Sequence, residues 1–334
     1  MAGSTATEIG NDQAELIGSK LGSEGWPIAY LKMPAVRRLL SGRLIQCYRQ
    51  LIRTIPEADV VHLFVSSLAG LVLVALPIIM LSAFFGRKIV LNLYSSTVME
   101  RIERWMGIWA KFLKQVDSLV VPSEHARRVL ASKGLKATHG VPMVDIDSME
   151  QRALNRLQPR VLVECPLESQ SDIVTILRAF AVVKQKYPRS ELVIAGEGRQ
   201  RKALERIVTE SPIYGVEFIG QAENINRLVQ EADLYVYASA DGDVPLSLQV
   251  AMASGLPVIA VASEPVKEII TQGYSGLLFE PGNESMLADR ILQLVENDNL
   301  VGELSRRGRV EAEKFAWDNL KTSWTSRYLT LARR

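Results

Sequence analysis

Short apolar runs alternate with amphipathic stretches along almost the whole chain. Short runs rich in β-branched residues predict buried strands, whereas apolar residues spaced three and four apart predict helices. Strands that alternate with helices indicate a doubly wound α/β protein, in which crossover helices cover both faces of a parallel sheet. The predicted strands are Ile28–Leu31, Val60–Phe64, Lys88–Tyr94, Ser118–Val121, Arg160–Glu164, Glu191–Ala195, Val216–Ile219, Asp233–Ala238 and Pro257–Val261. The predicted helices are Gln13–Leu21, Ala35–Ile55, Val98–Lys114, Ser123–Ser132, Ile173–Lys186, Gln200–Thr209, Leu287–Phe315 and Trp317–Leu331.

Length and composition favour two globular domains. The chain has 334 residues, of which 48% are hydrophobic and 23% charged, so each half can bury a core of its own. The polar stretch Pro142–Pro159 is the predicted linker. We therefore expect one domain over residues 1–145, a second over 146–316 and a terminal helix over 317–334.

Charge and cysteine content exclude two classes of function. The net charge of +2 is small and no basic motif is interleaved with aromatic residues, so we expect no nucleic-acid partner. Cys47 and Cys165 lie far apart without the spacing of metal ligands, which predicts buried thiols and no metal site. His62, inside an apolar strand, is expected to be a core histidine rather than a ligand.

The apolar run Leu63–Gly86 is long enough to raise the question of a membrane span. Ser66, Ser67 and Pro77 interrupt the run, and its first residues continue the strand Val60–Phe64. A buried helix of an α/β domain is the favoured interpretation, and insertion into a bilayer is the alternative.

The segment Pro245–Gly282 carries the clearest resemblance to a known family. It reads PLSLQVAMASGLPVIAVASEPVKEIITQGYSGLLFEPG, and Leu192–Glu205, Val216–Gln221 and Glu231–Ser239 add LVIAGEGRQRKALE, VEFIGQ and EADLYVYAS. In this text the chain resembles nucleotide-sugar glycosyltransferases of the GT-B fold, family 4 type. The resemblance implies two Rossmann-like domains facing a cleft, with the terminal helix crossing back to the first. It also implies retaining transfer of a hexose from a nucleoside-diphosphate sugar to a glycan or lipid-linked acceptor, without a metal or other cofactor.

The same resemblance indicates where the donor would bind in the second domain. The start of the helix near Val244 offers unpaired backbone N–H groups, which favour anions. Two assignments stay open, because Ser247 could simply cap or pack this helix and Glu197 could serve only its turn. The donor-binding candidates are Gly196, Glu197, Gly198, Ser239, Asp241, Asp243, Val244, Pro245, Leu246 and Ser247.

Several polar residues that the family uses are replaced in this chain. The two glutamates of the donor motif correspond to Gly242 and Val250, and the cations that clamp the diphosphate correspond to Pro166 and Ser171. Tyr94 stands where the first domain usually has a sugar-facing histidine. These losses predict weak donor binding. The alternative to an enzyme is a pseudo-glycosyltransferase that binds or supports an active transferase.

The resemblance also sets an expectation for the start of the first domain. Family members begin with an apolar strand and a Gly-rich turn, and here Gly10 and Asn11 fit the turn. The residues before Gly10 are mostly small or polar, so we expect the first sheet to lack its first strand. Either the reading frame begins too late or the sheet is built without that strand.

A basic amphipathic helix raises the possibility of contact with a membrane. Arg37, Arg38 and Arg43 lie in the predicted helix Ala35–Ile55, which also carries an apolar side. Such a helix can lie on anionic lipid, although a solvated face packed on the sheet is the simpler interpretation. We expect a cytoplasmic location, and peripheral attachment to the inner membrane face stays open beside it.

Overall fold

A computed structural model of the chain divides it into two compact units, Met1–Met143 with Trp317–Arg334 and Val144–Ala316. Each unit has its own parallel sheet with helices packed against it. The structure describes residues 2–4, 9–33, 42–93, 96–121, 123–140, 142–149, 159–211, 213–222, 224–239 and 246–332.

Strands and helices alternate through both units, as the hydrophobic pattern predicts. The strands are β1 (Ala2–Ser4), β2 (Leu31–Met33), β3 (Val60–Val65), β4 (Lys88–Leu93), β5 (Ser118–Val121), β6 (Ala137–His139), β7 (Arg160–Glu164), β8 (Glu191–Ala195), β9 (Val216–Gly220), β10 (Leu234–Tyr237), β11 (Val258–Val261) and β12 (Leu277–Phe279). The helices are α1 (Ile9–Ser23), α2 (Gly42–Thr54), α3 (Leu68–Gly70), α4 (Leu76–Phe84), α5 (Ser96–Arg104), α6 (Met106–Leu113), α7 (Glu124–Ser132), α8 (Ile173–Lys186), α9 (Arg201–Glu210), α10 (Ile225–Glu231), α11 (Leu246–Ala253), α12 (Glu264–Lys267), α13 (Glu284–Val295), α14 (Asp298–Glu313) and α15 (Trp317–Ala332).

The first sheet has the strand order β2-β1-β3-β4-β5-β6, and all its pairs are parallel. The strand that the sequence led us to expect missing is therefore present, and it lies between β2 and β3. It is short, however, because β1 pairs with β3 only at Leu63 and Phe64. Three residues suffice for strand pairing even though they are small and polar, since the pairing uses backbone groups.

The first sheet is buried on both faces. One face packs against α2, α3, α4 and α5, and its core includes Leu63, Ile78 and Leu91. The other face packs against α1 and α15, and its core includes Phe64 and Trp324. This two-sided burial is typical of a parallel sheet covered by crossover helices.

Three sequence predictions in this unit need correction. Gly10 and Asn11 do not form a turn, because α1 already begins at Ile9; polar residues are favourable in a first helical turn, where backbone N–H groups lack partners. The predicted helix Val98–Lys114 is divided at Trp105 into α5 and α6. The strand β6 was not predicted, since it is short and largely exposed.

The apolar run after β3 folds as helix within the first unit. Ser67 caps α3 by accepting a hydrogen bond from the Gly70 N–H, and a π-helical turn over Leu71–Ala75 leads into α4. The run is thus helical as predicted, but the prediction that it is buried holds only in part, because Leu73, Met80 and Phe84 are exposed. Among the described residues, no helix has both the length and the apolar character needed to cross a bilayer.

The terminal helix α15 belongs to the first unit and is fixed there by polar contacts. The Tyr328 hydroxyl lies 2.8 Å from Nδ1 of His62, which is 1% exposed. The Trp317 indole N–H donates to the Glu24 carboxylate at 2.8 Å. His62 is therefore a core residue that joins strand β3 to the helix behind it.

The second sheet has the order β12-β11-β10-β7-β8-β9, and its strand pairs are parallel. This order reverses direction between β7 and β10, which makes that point the topological switch of a doubly wound sheet. Helix α8 packs against α13, and α11 packs against α14. Side chains of α14 also bind the end of α11, since Ser305 donates to the Gly255 carbonyl and Arg309 to the Ala253 carbonyl.

Candidate functional site

The switch point of the second sheet is the natural place for a ligand. In open parallel sheets, ligands bind outside the carboxyl ends of the strands where the strand order reverses. Glu164 ends β7, and Ser239 follows β10 by two residues. The first turn of α11, with Leu246 and Ser247, follows in the chain after the segment 240–245. The structure therefore brings several of the predicted residues to one edge of the sheet.

A buried polar cluster joins β7, β10 and α11. The Tyr235 hydroxyl lies 2.8 Å from Oγ of Ser247 and donates to the Glu164 carbonyl at 3.2 Å. Ser247 also forms a hydrogen bond with the Glu164 carboxyl group. Tyr235 is wholly buried and Ser247 is 4% exposed. These bonds fix the first turn of α11 to the ends of two central strands.

Burial controls the protonation of this cluster. It raises the pKa of the Glu164 carboxyl, and the hydrogen bond from Ser247 opposes that shift. Burial also raises the pKa of the Cys165 thiol to about 12 and that of the Tyr235 phenol well above its usual range. Cys165 therefore remains a thiol at neutral pH and is not suited to act as a nucleophile.

The loops after β7 and β8 pack backbone against backbone at two glycines. The Leu167 N–H donates to the Glu197 carbonyl at 3.0 Å, and the Gln200 N–H donates to the Leu167 carbonyl at 3.0 Å. A Cβ on Gly196 would lie 1.9 Å from the Cys165 carbonyl oxygen, and one on Gly198 would lie 2.2 Å from that of Leu167. Both glycines are thus required by close approach of the two loops.

The side chain of Glu197 has a partner within the same loop. Its carboxylate forms an ion pair with Arg201, whose guanidinium also donates to Glu205 at 2.9 Å and to the Phe218 carbonyl. Glu197 nevertheless remains exposed. The contacts with Arg201 favour a role in the turn and at the start of α9, which the sequence had left open beside a role in nucleotide binding.

The two positions expected to clamp a diphosphate serve the loop instead. Pro166 is exposed, and its carbonyl accepts a hydrogen bond from the Ser171 hydroxyl at 2.5 Å. Ser171 is 2% exposed, and the next residue, Asp172, adopts a left-handed conformation with φ of 39°. The stretch from Cys165 to Asp172 contains no lysine or arginine. This loop offers hydroxyl and backbone groups to an anion, but no positive charge.

Helix α11 carries an apolar residue where the family has its second glutamate. Val250 is 3% exposed, and its apolar side chain offers no hydrogen-bonding group to a ligand. The neighbouring Gln249 is wholly buried, and neither end of its amide is hydrogen-bonded within the described part of the chain. A buried amide without partners costs free energy, which makes Gln249 an uncompensated polar group of this helix.

The remaining predicted residues lie at the end of β10, at the start of α11, in α2 or outside the described ranges. Ser239 is buried at the end of β10, and Leu246 is half-buried at the start of α11. Arg43 lies in α2, although its side chain is outside the described atoms. The predicted residues outside the described ranges are Arg37, Arg38, Tyr94, Asp241, Gly242, Asp243, Val244 and Pro245.

Sequence reasoning missed the polar cluster around Tyr235. Glu164 and Tyr235 were assigned to apolar strands, and Gln249 was not singled out. A signal was present, because a glutamate that ends an apolar strand and a tyrosine inside one both need polar partners when buried. Within the described residues, no group of histidine, cysteine or acidic side chains is arranged to hold a metal.

Comparison with known proteins relates the second unit to a known family. Residues 147–311 match the family described as glycosyl transferases group 1. The chain is 31% identical over 142 residues to the putative glycosyltransferase EpsD of Bacillus subtilis, covering 42% of this chain and 37% of EpsD. It is 26% identical over 330 residues to the sulfoquinovosyl transferase SQD2 of Arabidopsis thaliana, covering 91% of this chain and 62% of SQD2. The chain thus spans less than two thirds of the length of these relatives.

A solved structure extends the likeness to both units. HepE of Anabaena in complex with UDP-glucose has a TM-score of 0.74 to this chain at 17% identity, covering 97% of this chain and 98% of HepE. At that identity the likeness concerns the fold alone. Together with the two doubly wound parallel sheets, it confirms the GT-B architecture expected from the sequence.

Proposed function

Since the stretch 147–311 belongs to the glycosyl transferases group 1 family, we propose that this chain transfers a hexose from a nucleoside-diphosphate sugar to a glycan or lipid-linked acceptor. The family match is the observation that carries the proposal. The fold of HepE, which binds UDP-glucose in its crystal structure, supports it. The transfer would retain the anomeric configuration and would need no metal.

We assign the donor to the domain over 146–316 and the acceptor to the domain over 1–145, with 317–334 attached to the latter. The diphosphate would lie at the first turn of α11, because unpaired N–H groups at a helix start favour anions. Ser247 and Ser239 would offer hydroxyl groups there, and the backbone of Gly196, Glu197 and Gly198 would allow close approach. The remaining donor candidates lie in the segment 241–246.

Weak donor binding follows from the charges around this position. Neither Pro166 nor Ser171 carries the positive charge of the clamp, and the Glu164 carboxyl lies beside Ser247. Each hydrogen bond to a charged group contributes about 1.5–3 kcal/mol, so loss of two weakens binding by roughly two to four orders of magnitude. Arg201 is engaged with Glu197 and Glu205, which limits its use as a substitute.

The first unit carries an exposed apolar surface that fits a lipid-linked acceptor and peripheral attachment to the inner membrane face. Phe84 is 82% exposed, and Arg49 and Arg53 are exposed on the adjacent α2. A basic helix beside exposed apolar side chains is suited to an anionic lipid surface, to which Arg37, Arg38 and Arg43 would add charge. The other large apolar side chains exposed on α2 to α6 are Ile52, Leu68, Val72, Leu73, Met80, Trp105 and Ile108.

A second candidate function is favoured by the loop after β7. There the Ser171 hydroxyl binds the Pro166 carbonyl where a transferase would hold phosphate, and Val250 is buried where the family has a ribose acceptor. A protein with these residues would keep the fold as a pseudo-glycosyltransferase. It would then act as a binding or scaffolding partner of an active transferase.

Binding and turnover with nucleotide sugars separate the two functions. We expect UDP-, GDP- or ADP-glucose to raise the melting temperature of the protein slightly, with slow release of nucleoside diphosphate. The double variant Pro166→Arg/Ser171→Lys should bind the donor at least about tenfold more tightly, because it restores charge-assisted hydrogen bonds. Pro166→Gln/Ser171→Gln is the matched uncharged control. Absence of binding by both the wild type and the charged variant would exclude the transferase and favour the partner role.

A further inference from the structure

Ser247 lies at the centre of the buried polar cluster that joins β7, β10 and α11. Its Oγ atom is 2.8 Å from the Tyr235 hydroxyl and forms a hydrogen bond with the Glu164 carboxyl group. A serine hydroxyl has one hydrogen and two lone pairs, so it donates one hydrogen bond and accepts the others. Which neighbour receives that hydrogen depends on the protonation of Glu164.

An ionised Glu164 fixes the direction of these hydrogen bonds. A carboxylate accepts hydrogen bonds and has no hydrogen to donate, so the Ser247 hydroxyl gives its hydrogen to Glu164. The Tyr235 hydroxyl then donates to Ser247 or to the Glu164 carbonyl at 3.2 Å. In this state Ser247 has no hydrogen left for a phosphate, and a negative charge lies beside the first turn of α11.

Protonation of Glu164 reverses the bond with Ser247. The neutral carboxyl group donates to the Ser247 Oγ atom, and the hydrogen of Ser247 becomes available to another acceptor. Protonation also removes a charge that repels phosphate, and such repulsion is stronger in a partly buried site than in water. One proton thus changes both the charge and the hydrogen-bond donors at the position proposed for the diphosphate.

Glu164 is the member of this cluster that changes charge below pH 8. It is half-buried at the carboxyl end of β7, opposite Ala195 of β8, and burial raises its pKa above the ordinary carboxyl value. Burial raises the pKa of the Tyr235 phenol well above its usual range and that of the adjacent Cys165 thiol to about 12. The phenol and the thiol therefore stay neutral while Glu164 titrates.

The charged groups of the neighbouring segments are engaged with one another. Glu197, which follows β8, is paired with Arg201, and Arg227 is paired with Glu231 in α10, the helix that contacts β7. Helix α11 contributes no titratable side chain, because Leu246–Ala253 reads LSLQVAMA. The other charged residues in the loops after β7 and β8 are Glu168, Asp172 and Arg199.

We propose that Glu164 is a positioning residue of the donor site, which acts through Ser247 and makes the binding of a nucleoside-diphosphate sugar depend on a proton. The inference rests on the function proposed above, which places the diphosphate at the first turn of α11. Donor binding is tighter while Glu164 is neutral and weakens as this carboxyl group ionises. By linkage, the bound donor favours the protonated carboxyl, so binding takes up a proton from solution.

Calorimetric titration of the whole chain with UDP-glucose at pH 5 and pH 8 tests this dependence, with GDP-glucose and ADP-glucose in parallel. Both phosphates of these probes are esterified, so each probe keeps the same charge at the two pH values. We expect the wild type to bind at least about tenfold more tightly at pH 5, because it gains a hydrogen bond to a charged group and loses a repulsive charge. Titrations in two buffers with different ionisation enthalpies should show the uptake of a proton.

Glu164→Gln separates the proton from the shape of the side chain. The amide is neutral at both pH values and donates to Ser247 as the neutral carboxyl group does. This variant should therefore bind at pH 8 as tightly as the wild type binds at pH 5, without proton uptake. Ser247→Ala keeps the carboxyl group but has no hydroxyl hydrogen to release, so its affinity should change less with pH than that of the wild type.

Glu168→Gln is the matched control for the loss of a carboxylate from the same loop. The Glu168 carboxylate accepts a hydrogen bond from the Arg199 N–H at 3.2 Å, and glutamine retains an oxygen for it. This variant should keep the pH dependence of the wild type. Circular dichroism at both pH values shows whether each protein is folded.

The outcomes separate this inference from the proposed transfer. Equal affinities of the wild type at the two pH values, or the same pH dependence in Glu164→Gln, would overturn the inference and leave the transferase function intact. An undiminished pH dependence in Ser247→Ala would contradict the role of its hydroxyl. No binding of the three probes by any of these proteins would overturn the inference together with the transferase function.

Discussion

The two sheets differ most in the strand that each places first in its unit. In the second sheet, β7 pairs with β8 at five positions, and its Val161, Leu162 and Val163 are almost wholly buried. In the first sheet, β1 pairs with β3 at only two positions, and its residues are small or polar. The described strands of the second sheet therefore hold a longer interior pairing, and it carries more buried apolar side chains than that of β1.

The two sheets also differ in whether their buried polar groups are hydrogen-bonded. At the end of β7, Tyr235, Ser247 and Glu164 bind one another, and the cluster holds the first turn of α11 in place. In β3 of the first sheet, His62 has one nitrogen bound and one without a partner among the described residues. In the second sheet, residues from three elements meet and satisfy one another, whereas one nitrogen of His62 stays without a partner among the described residues.

The largest effect is expected from a side chain placed between the loops of the second sheet. Gly196→Ala would bring Cβ to 1.9 Å from the Cys165 carbonyl oxygen, and the residue has a φ of 153°. The loop after β7 or β8 must move, which should lower the free energy of unfolding by about 3–5 kcal/mol. Urea denaturation of the purified variant measures this.

Gly302→Ala is the matched control, because nothing lies within 4 Å of the Cβ it adds to helix α14. Alanine is favoured over glycine in a helix, so this variant should be more stable by about 0.5–1 kcal/mol. If the two variants behaved alike, the close packing of the loops after β7 and β8 would not be important for the stability of the second sheet.

A pair of leucine truncations compares an interior strand of the second sheet with an edge strand of the first. Leu162→Ala in β7 removes a side chain that is 1% exposed and should cost about 2–5 kcal/mol. Leu31→Ala at the start of β2 removes a half-buried side chain and should cost only about 1 kcal/mol. Equal losses in urea denaturation would mean that Leu31 of β2 is packed as tightly as Leu162 of β7.

The hydrophobic pattern predicted the second sheet better than the first. Arg160–Glu164 and Glu191–Ala195 were predicted to the residue because they are apolar runs between clear turns. The strand β1 was expected to be missing because Ala2–Ser4 has no apolar signal, and a strand that pairs through its backbone needs none. Gly10 and Asn11 were misread as a turn for a related reason, since polar residues suit both turns and helix starts.

The candidate site could be predicted only in part. The turn at Gly196 and Gly198 was predicted because its two glycines form a local pattern in the sequence. The cluster of Glu164, Tyr235 and Ser247 brings together residues from separate elements, and no local pattern connects them.

The pH dependence of stability tests His62 of the first sheet, whose buried Nε2 atom has no partner among the described residues. Burial, the charge of the amino terminus and Arg327 lower the pKa of His62 well below its usual range. As pH falls below about 6.5, the unfolded chain takes up a proton that the folded chain cannot, so stability falls by up to about 1.4 kcal/mol per pH unit. His62→Phe should remove this loss, as denaturation at pH 7 and pH 5 would show. Tyr328→Phe retains the histidine and should retain the loss; a flat profile for Tyr328→Phe would mean that another group is responsible.

The smallest effect is expected at the hydrogen-bonded cluster of Glu164, Tyr235 and Ser247 in the second sheet. There, stability should depend on pH in the opposite direction to that at His62. Burial raises the pKa of Glu164 and the hydrogen bond from Ser247 opposes the shift, so the folded chain holds this proton more tightly than the unfolded chain. The resulting stability is complete below the ordinary carboxyl pKa of about 4.3 and is lost as pH rises through the raised pKa. Glu164→Gln should therefore gain stability relative to the wild type between pH 4 and pH 7, by less than about 1.4 kcal/mol per pH unit. Ser247→Ala removes the opposing hydrogen bond and should enlarge the loss in the protein that keeps Glu164. Parallel profiles for the wild type and Glu164→Gln would show that this carboxyl group is as well solvated as one on the surface, and the contrast between the two sheets would then rest on strand length alone.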